Sequence, residues 1–248
     1  MQVFLDVDGS LFNYKQVQAN VLGTLMDQML FKSPHNAINR TANKDRQWHG
    51  EIESAVYTEG TINLPGDTDK YWSIEMAITF ESLYQNSNLK KRRKPLDNEV
   101  WFTQFARAEY YLDVSRGKYK KSPQGVEDWW SWQPCDAVNL HIQDRWGLVQ
   151  FKRDMSDKKF TFPRWHMYKA LFESLDALKK YVAVNSKLTH RFEELDLPPY
   201  LMTGACVDLL TIVKLYNKFD QFKIKVKSKV ISGLEAEIRS DRKVTFKK

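Results

Sequence analysis

The sequence predicts a mainly β protein, in which an antiparallel β-sandwich is followed by a small α+β domain. Short segments of alternating apolar and polar residues, separated by turn residues, recur through the first 151 positions, which is typical of an antiparallel sandwich or barrel. The pattern then changes to one helical stripe and an alternating strand. The charge changes at the same place, because residues 1–151 carry 17 basic and 19 acidic side chains, whereas residues 152–248 carry 21 and 12. We therefore predict two domains, 1–153 and 154–248.

The strands of the first domain are predicted from alternating or apolar runs that end at turn residues. The clearest alternation places Trp72, Ile74 and Met76 on one face of a strand. Polar, unperiodic stretches predict loops at 32–47 and 113–136. The predicted strands cover residues 1–8, 14–29 with a break at Gly23, 55–62, 71–80, 99–112 and 146–151.

One long helix and a sheet are predicted in the second domain. Apolar residues recur with helical spacing from 164 to 184, after a proline that is typical of a helix start. We predict a shorter helix at 207–216, then the strand FKIKVKSKV with one wet lysine face, then two short strands at 234–238 and 244–246. The long helix is expected to bury Trp165, Leu171, Leu175 and Leu178 against Phe222, Ile224 and Val226.

The composition disfavours several classes of protein. No run of 18 apolar residues exists, so no membrane span is predicted. Met1 leads straight into a strand without the basic region of a signal peptide. Cys135 and Cys206 are interpreted as small buried residues rather than a disulfide framework. The sequence contains no nucleophile elbow, P-loop or dinucleotide motif, and its five histidines lack metal-ligand spacing, so we predict no enzyme activity and no organic cofactor.

Four segments of the first domain carry a resemblance by their order and spacing. They are VFLDVDGSLFNYKQVQANVLGT, GTINLPGDTDKYWSIEMAITFESL, VWFTQFARAEYY and WSWQPCDAVNLHIQDRWGLVQF. The third contains an Arg-x-Glu pair, and the fourth has the specific ending W-G-x-V-x-F. Together they resemble the carbohydrate-binding module family 9 group within the DOMON-like β-sandwiches, over about 60% of the chain.

The resemblance implies non-catalytic carbohydrate binding, by aromatic stacking and hydrogen bonds, in polysaccharide recognition or breakdown. It also implies a secreted, periplasmic or cell-envelope location for the parent protein. Two departures favour an alternative, a structural or assembly module that no longer binds sugar. Family members carry further strands before the VFLDVDG segment, and Gln18 stands where members with a characterised sugar site have a basic residue. Such a shortened sandwich would expose an unpaired sheet edge and favour self-association.

Tryptophans are the first candidates for carbohydrate binding. Trp132, in the segment that resembles the family's ligand side, and Trp146 are the preferred residues, with Trp129 and Trp130 as weaker candidates. An indole that stacks on a sugar must be partly exposed. The alternative for each ring is that it fills the sandwich core.

Polar candidates complete the predicted site. Arg107 and Glu109 share a strand parity, so both project from one face, where they either hydrogen-bond sugar hydroxyls or form a structural ion pair. Gln18 is the third polar candidate, by its place in the resemblance. Asp6 and Asp8 suit either turn closure or a hard cation such as calcium.

Two basic stretches are interpreted either as solvent-exposed surface or as contact sites for polyanions. The run at 90–94 is typical of a solvated hairpin loop, and the lysines of 223–229 form one face of a strand. Acidic polysaccharide, anionic lipid headgroups and nucleic acid are the polyanions considered. Nucleic acid is disfavoured, because the apolar side chains of 222–230 lie on the face opposite the lysines.

Overall fold

The computed structural model is mainly β, with 38% strand and 17% helix. The residues it describes are 1–34, 44–45, 48–89, 94–125, 127–135, 139–154, 156, 159–215 and 218–248. The strands are β1 (Gln2–Asp6), β2 (Tyr14–Ala19), β3 (Leu25–Leu30), β4 (Lys44–Asp45), β5 (Glu53–Glu59), β6 (Tyr71–Ala77), β7 (Val100–Glu109), β8 (Leu112–Ser115), β9 (Lys118–Lys121), β10 (Asp128–Ser131), β11 (Gly147–Gln150), β12 (Val207–Leu215), β13 (Lys218–Ser228), β14 (Glu235–Arg239) and β15 (Val244–Lys247). The α-helices are α1 (Phe80–Tyr84), α2 (Trp165–Asn185) and α3 (Pro199–Met202).

The chain divides into two compact units. Unit 1 comprises Met1–Asp8 and the described parts of 13–153, and unit 2 comprises Gly9–Phe12 and residues from Asp154 onward. Within unit 2 the Gly9–Phe12 segment is held by the Val244 amide, which donates to the Ser10 carbonyl at 3.1 Å, and by the Tyr168 hydroxyl, which donates to the Gly9 carbonyl at 2.8 Å. The sequence predicted a boundary after residue 153 but did not predict that Gly9–Phe12 belongs to unit 2, because the residues that hold this segment are remote in sequence.

A seven-stranded antiparallel sheet is the framework of unit 1. Its order is β10-β7-β1-β2-β3-β4, and β11 pairs with β7 as well. Directly opposite residues project to the same face of a sheet, and neighbours along a strand project to opposite faces. The registers therefore define a tryptophan face, which includes Val3, Leu5, Trp101, Phe105, Arg107 and Trp130, and a glutamine face, which includes Gln2, Phe4, Gln16, Gln18, Gln28 and Gln104.

Each face of this sheet carries buried apolar side chains. On the tryptophan face, one cluster contains Trp48, Leu83, Tyr84 and Trp101. Helix α1 contributes to it and is capped by Thr79, whose side chain accepts from the Ser82 amide. On the glutamine face, Phe4 and Tyr14 pack against Trp146 and His141.

Two further pairs of strands stand apart from the large sheet. Strands β5 and β6 form one two-stranded sheet, and β8 and β9 form another. Most of the side chains of β5, β6, β8 and β9 are exposed or half-buried. Antiparallel pairing in unit 1 confirms the mainly β prediction, whereas the two-layered sandwich itself stays a prediction.

Unit 2 packs helix α2 on a four-stranded antiparallel sheet of order β12-β13-β14-β15. Phe222, Ile224 and Val226 are buried beneath the helix, and Leu171 and Leu175 are fully buried on its inner side, as the sequence predicted. Trp165 was expected in this core but is 40% exposed, because it is the first residue of the helix and lies against Phe162 instead. A helix plus antiparallel sheet at the C-terminus is therefore confirmed.

Two local predictions were wrong. The segment predicted as a helix at 207–216 is strand β12, because Val207, Thr211 and Ile212 favour an extended chain and Ile212 pairs with Ile224 of β13. The stretch 113–136, predicted as loop, contains most of β8, all of β9 and all of β10. Residues 90–93 of the basic run, and most of the loop predicted at 32–47, lie outside the described residues. No helix in the described ranges is long and apolar enough to cross a membrane.

Candidate functional site

Trp132 lies at the edge of the tryptophan face, immediately after β10. Its amide donates to the Phe105 carbonyl at 2.8 Å, which continues the pairing with β7, and its ring centroid is 5.6 Å from that of Phe105. The inner edge of the ring rests on Gly147 of β11, where a β-carbon would lie 2.3 Å from Cζ3 of the indole. Trp132 nevertheless remains 46% exposed. It therefore has the partly exposed ring that a stacking platform needs.

Arg107 and Glu109 point to the same face, as predicted from strand parity. Their side chains form an ion pair of 3.0 Å between Nη2 and Oε1, and both remain more than half exposed. Such exposed pairs contribute about 0–1 kcal/mol, so this one adds little to stability. The Arg107 guanidinium also lies 5.3 Å from the ring centroid of Trp130, its partner in the strand register. Arg107 thus forms the ion pair that the sequence left open as one alternative, and contact of its donors with sugar hydroxyls stays a prediction.

Trp132, Arg107 and Trp130 line one open groove on the tryptophan face, whereas Glu109 is ion-paired with Arg107 but does not line the groove. Strand β6 supplies another wall through Trp72 and Ile74, and the groove encloses about 380 Å³. Trp72 is 37% exposed and Trp130 58% exposed. We call this site the indole groove and define it by Trp72, Phe105, Arg107, Trp130 and Trp132.

Trp146 does not belong to the indole groove. It is 5% exposed, packs edge-on against Tyr14 and lies near Phe4, and its Nε1 donates to the Leu140 carbonyl at 2.7 Å. Neither face of the ring is available to a ligand. The prediction of a binding role for Trp146 is corrected: the residue fills the core of unit 1, the alternative left open by the sequence.

Gln18 lies on the opposite face from Arg107, so the structure separates two candidates that the sequence grouped together. The glutamine face carries a directed chain of amides, in which Gln28 Nε2 donates to Gln16 Oε1 at 2.5 Å and Gln16 Nε2 donates to Gln2 Oε1 at 3.0 Å. With Trp129 and His141, these side chains and Gln18 line a depression of about 450 Å³. We call it the glutamine pocket.

A third depression joins the two sites around the end of the sheet. It shares Met1 and Trp72 with the indole groove, and Gln2, Gln18 and Trp129 with the glutamine pocket. We call it the end pocket. The three depressions therefore adjoin one another around this end of the sheet, although Trp132 and Gln18 lie on opposite faces.

Asp6 and Asp8 lie beside a buried lysine. Lys15 has no exposed surface, and its Nζ donates to the carbonyls of Asn13 at 2.8 Å and Gln85 at 2.5 Å. Burial lowers the pKa of Lys15 to about 8, and the carboxylates of Asp8 and Asp6 oppose this shift. Within the described residues no three His, Cys, Asp or Glu side chains group as metal ligands. The ammonium of Lys15 supplies positive charge near these acids, and a calcium role stays a prediction without geometric support.

Several residues of these sites were missed by the sequence reasoning. Trp72 was assigned to a strand face but not to a site, and Gln2, Gln16 and Gln28 were not singled out. The alternation of Gln16 and Gln18 along β2 shows that they share a face, a signal available in the sequence. Their meeting with Gln2 and Gln28 depends on the β1–β2 and β2–β3 registers, which the sequence does not supply.

Comparison with known proteins leaves the resemblance as a prediction. No family model, curated protein or solved structure matches this chain. The argument for function therefore depends on the geometry of the indole groove and of the pockets beside it.

Proposed function

We propose that unit 1 is a non-catalytic carbohydrate-binding module, in which Trp132 is the stacking platform and Arg107 and Glu109 are polar contacts beside it. The observation that carries the proposal is that three exposed indoles and the exposed Arg107 line one open groove, with Glu109 ion-paired to Arg107 beside it. Sugar rings present CH faces to indoles and hydroxyls to charged donors and acceptors. The groove offers both kinds of surface within a few residues of each other.

The proposal includes the finer fold. The large sheet and the β5–β6 hairpin would be the two layers of a family 9-like sandwich, since Ile74 and Trp72 of β6 line the same groove as Phe105 and Trp130 of the large sheet. On this proposal the parent protein is secreted or lies in the cell envelope and takes part in polysaccharide recognition or breakdown.

A structural or assembly module is the second candidate, favoured by a specific observation. The side chains of β5 and β6 are largely exposed on both faces, and an exposed two-stranded edge invites pairing with another chain. In this case the indole groove is an interface that a second copy covers. Molar mass in solution then depends on protein concentration, and Trp72→Ser or Trp130→Ser shifts the protein towards monomer.

The proposed function is tested by titration calorimetry and a glycan array on the full chain. Trp132→Ala is expected to abolish measurable binding, because loss of an aromatic platform costs about 1–3 kcal/mol where bases stack on aromatic rings, and a shallow site has little affinity to lose. Trp165→Ala is the control, since Trp165 is similarly exposed but belongs to unit 2. Equal glycan binding by the Trp132→Ala variant would reject the platform. Absence of glycan binding by the unmodified chain would favour the assembly module.

A further inference from the structure

The β8–β9 hairpin is a defined projection at one end of the large sheet. Its two-residue turn, Arg116-Gly117, has positive φ angles of 54° and 70°, as a type I′ hairpin turn requires. The hairpin connects the end of β7 to the start of β10, where Glu109 lies opposite Asp128. At its base the Tyr111 hydroxyl donates to Asp128 Oδ2 at 2.7 Å. The orientation of the hairpin root is therefore fixed by side chains as well as by backbone pairing.

Cations are concentrated on this hairpin. Arg116, Lys118, Lys120 and Lys121 fall within six positions, and the whole of β9 is exposed. Lys121 pairs with Glu127 at 3.3 Å. The other three make no ion pair with a carboxylate in the described part of the chain. They are thus available to a negatively charged ligand.

Exposed tyrosines lie on the face of the hairpin that carries Lys121, opposite the face that carries Lys118 and Lys120. Tyr119 is 37% exposed and lies opposite Val114, and Tyr110 is 49% exposed. Lys121 Nζ lies 4.5 Å from the Tyr110 ring centroid. Tyr110 in turn lines the end pocket together with Gln18 and Trp129. The hairpin therefore adjoins the surface that connects the indole groove with the glutamine pocket.

The charge pattern favours an anionic polymer that also offers neutral hydroxyl groups. Glu109, Glu127 and Asp128 surround the root of the hairpin, and Asp113 lies directly opposite Lys120, so the positive surface is short and interrupted. A nucleic acid binds chiefly through its phosphates, and with three available cations beside these acids it would gain little counterion release. A uronic-acid polysaccharide also carries charge along its chain, but it adds ring hydroxyls and CH faces, which the amides and indoles of the end pocket can bind.

We infer that the β8–β9 hairpin binds the carboxylates of an acidic polysaccharide whose sugar rings occupy the end pocket and the indole groove. This inference rests on the proposed carbohydrate-binding function and names its ligand class. Lys118 and Lys120 supply the charge selection, and Trp132 supplies stacking that is independent of charge.

Polygalacturonic acid and its fully methyl-esterified form are the probes, because they share a sugar backbone and differ in charge. The full chain is expected to bind the acid form more tightly at low salt, with the difference lost at high salt. The double substitution Lys118→Gln/Lys120→Gln should weaken binding of the acid form roughly tenfold, given up to about fivefold for each exposed charge pair. Binding of the methyl ester should not change.

The matched control is Lys225→Gln/Lys227→Gln, which removes the same charge from β13 of unit 2 and is expected to leave both affinities unchanged. Weaker binding of the acid form by this variant and not by Lys118→Gln/Lys120→Gln would assign the polyanion contact to the lysines of 223–229 and overturn the inference. If Lys118→Gln/Lys120→Gln binds the acid form as tightly as the unmodified chain while Trp132→Ala binds it more weakly, the inference is wrong and the proposed function stands. If neither polygalacturonic acid nor its methyl ester binds but other neutral glycans do, the inference is again wrong. If no glycan of any kind binds, both fail. The inference would also be overturned if the chain bound polyuridylate or phosphatidylserine vesicles through the hairpin and did not bind polygalacturonic acid.

Discussion

Gly147 is the residue whose substitution tests the indole groove most directly. Its backbone conformation is not one that demands glycine, so the effect of Gly147→Ala is steric. An alanine β-carbon would lie 2.3 Å from Cζ3 and 2.7 Å from Cε3 and Cη2 of Trp132. Ordinary carbon–carbon contacts are about 3.5–4.0 Å, so the indole must move by more than about 1 Å.

We expect Gly147→Ala to displace the Trp132 ring while the sheet remains folded. Overpacking of this kind costs about 1–3 kcal/mol when the neighbours cannot yield, and the cost is smaller here because Trp132 can swing towards solvent. Carbohydrate affinity should therefore fall nearly as far as in Trp132→Ala, whereas stability falls by less than the full overpacking cost. The assays are titration calorimetry, tryptophan fluorescence and urea denaturation.

Gly66→Ala is the matched control, since nothing lies within 4 Å of the position that a β-carbon would take there. It should bind as the parent does. Unchanged affinity and fluorescence in Gly147→Ala would refute the placement of Trp132 on Gly147. A large loss of stability with no change in affinity would show that the ring is held in place and is not the platform.

Three further predictions concern stability in urea. Burial lowers the pKa of Lys15 in the folded protein, so the free energy of unfolding should rise by about 2 kcal/mol between pH 8 and 10. Lys15→Met should remove this rise. An identical rise in the variant would contradict the lowered pKa of Lys15. Above pH 10 the trend should reverse, since burial raises the pKa of Tyr14 and favours its neutral form in the folded state. Trp146→Ala should lower the free energy of unfolding by about 3–5 kcal/mol, as a core substitution does. A loss below about 1 kcal/mol would contradict the burial of Trp146 in the core. Ile224→Ala should cost about 2–5 kcal/mol, whereas Lys225→Ala on the other face should change stability by less than about 0.5 kcal/mol; similar costs for both would contradict the packing of α2 on β13.

The sequence by itself determined the elements whose periodicity is strong. Alternation along 222–226 and the helical stripe of 168–182 predict which side chains face the core, because each pattern matches the geometry of a single element. The patterns fail at their ends, where Val230 and Trp165 are exposed. The same parity placed Arg107 and Glu109 together. At 207–216 the apolar spacing was ambiguous, and pairing with β13 decided in favour of a strand.

Tertiary structure alone decided which candidates share a site. Trp132 and Trp146 are alike in the sequence, yet one lies on Gly147 at an open groove and the other lies between Phe4 and Tyr14. Burial depends on what covers a ring, and those covering residues come from distant parts of the chain. Gln18 was separated from Arg107 for the same kind of reason. The register of β1 with β2 and β7 sets the face on which each side chain projects, and a shift of one residue would reverse it.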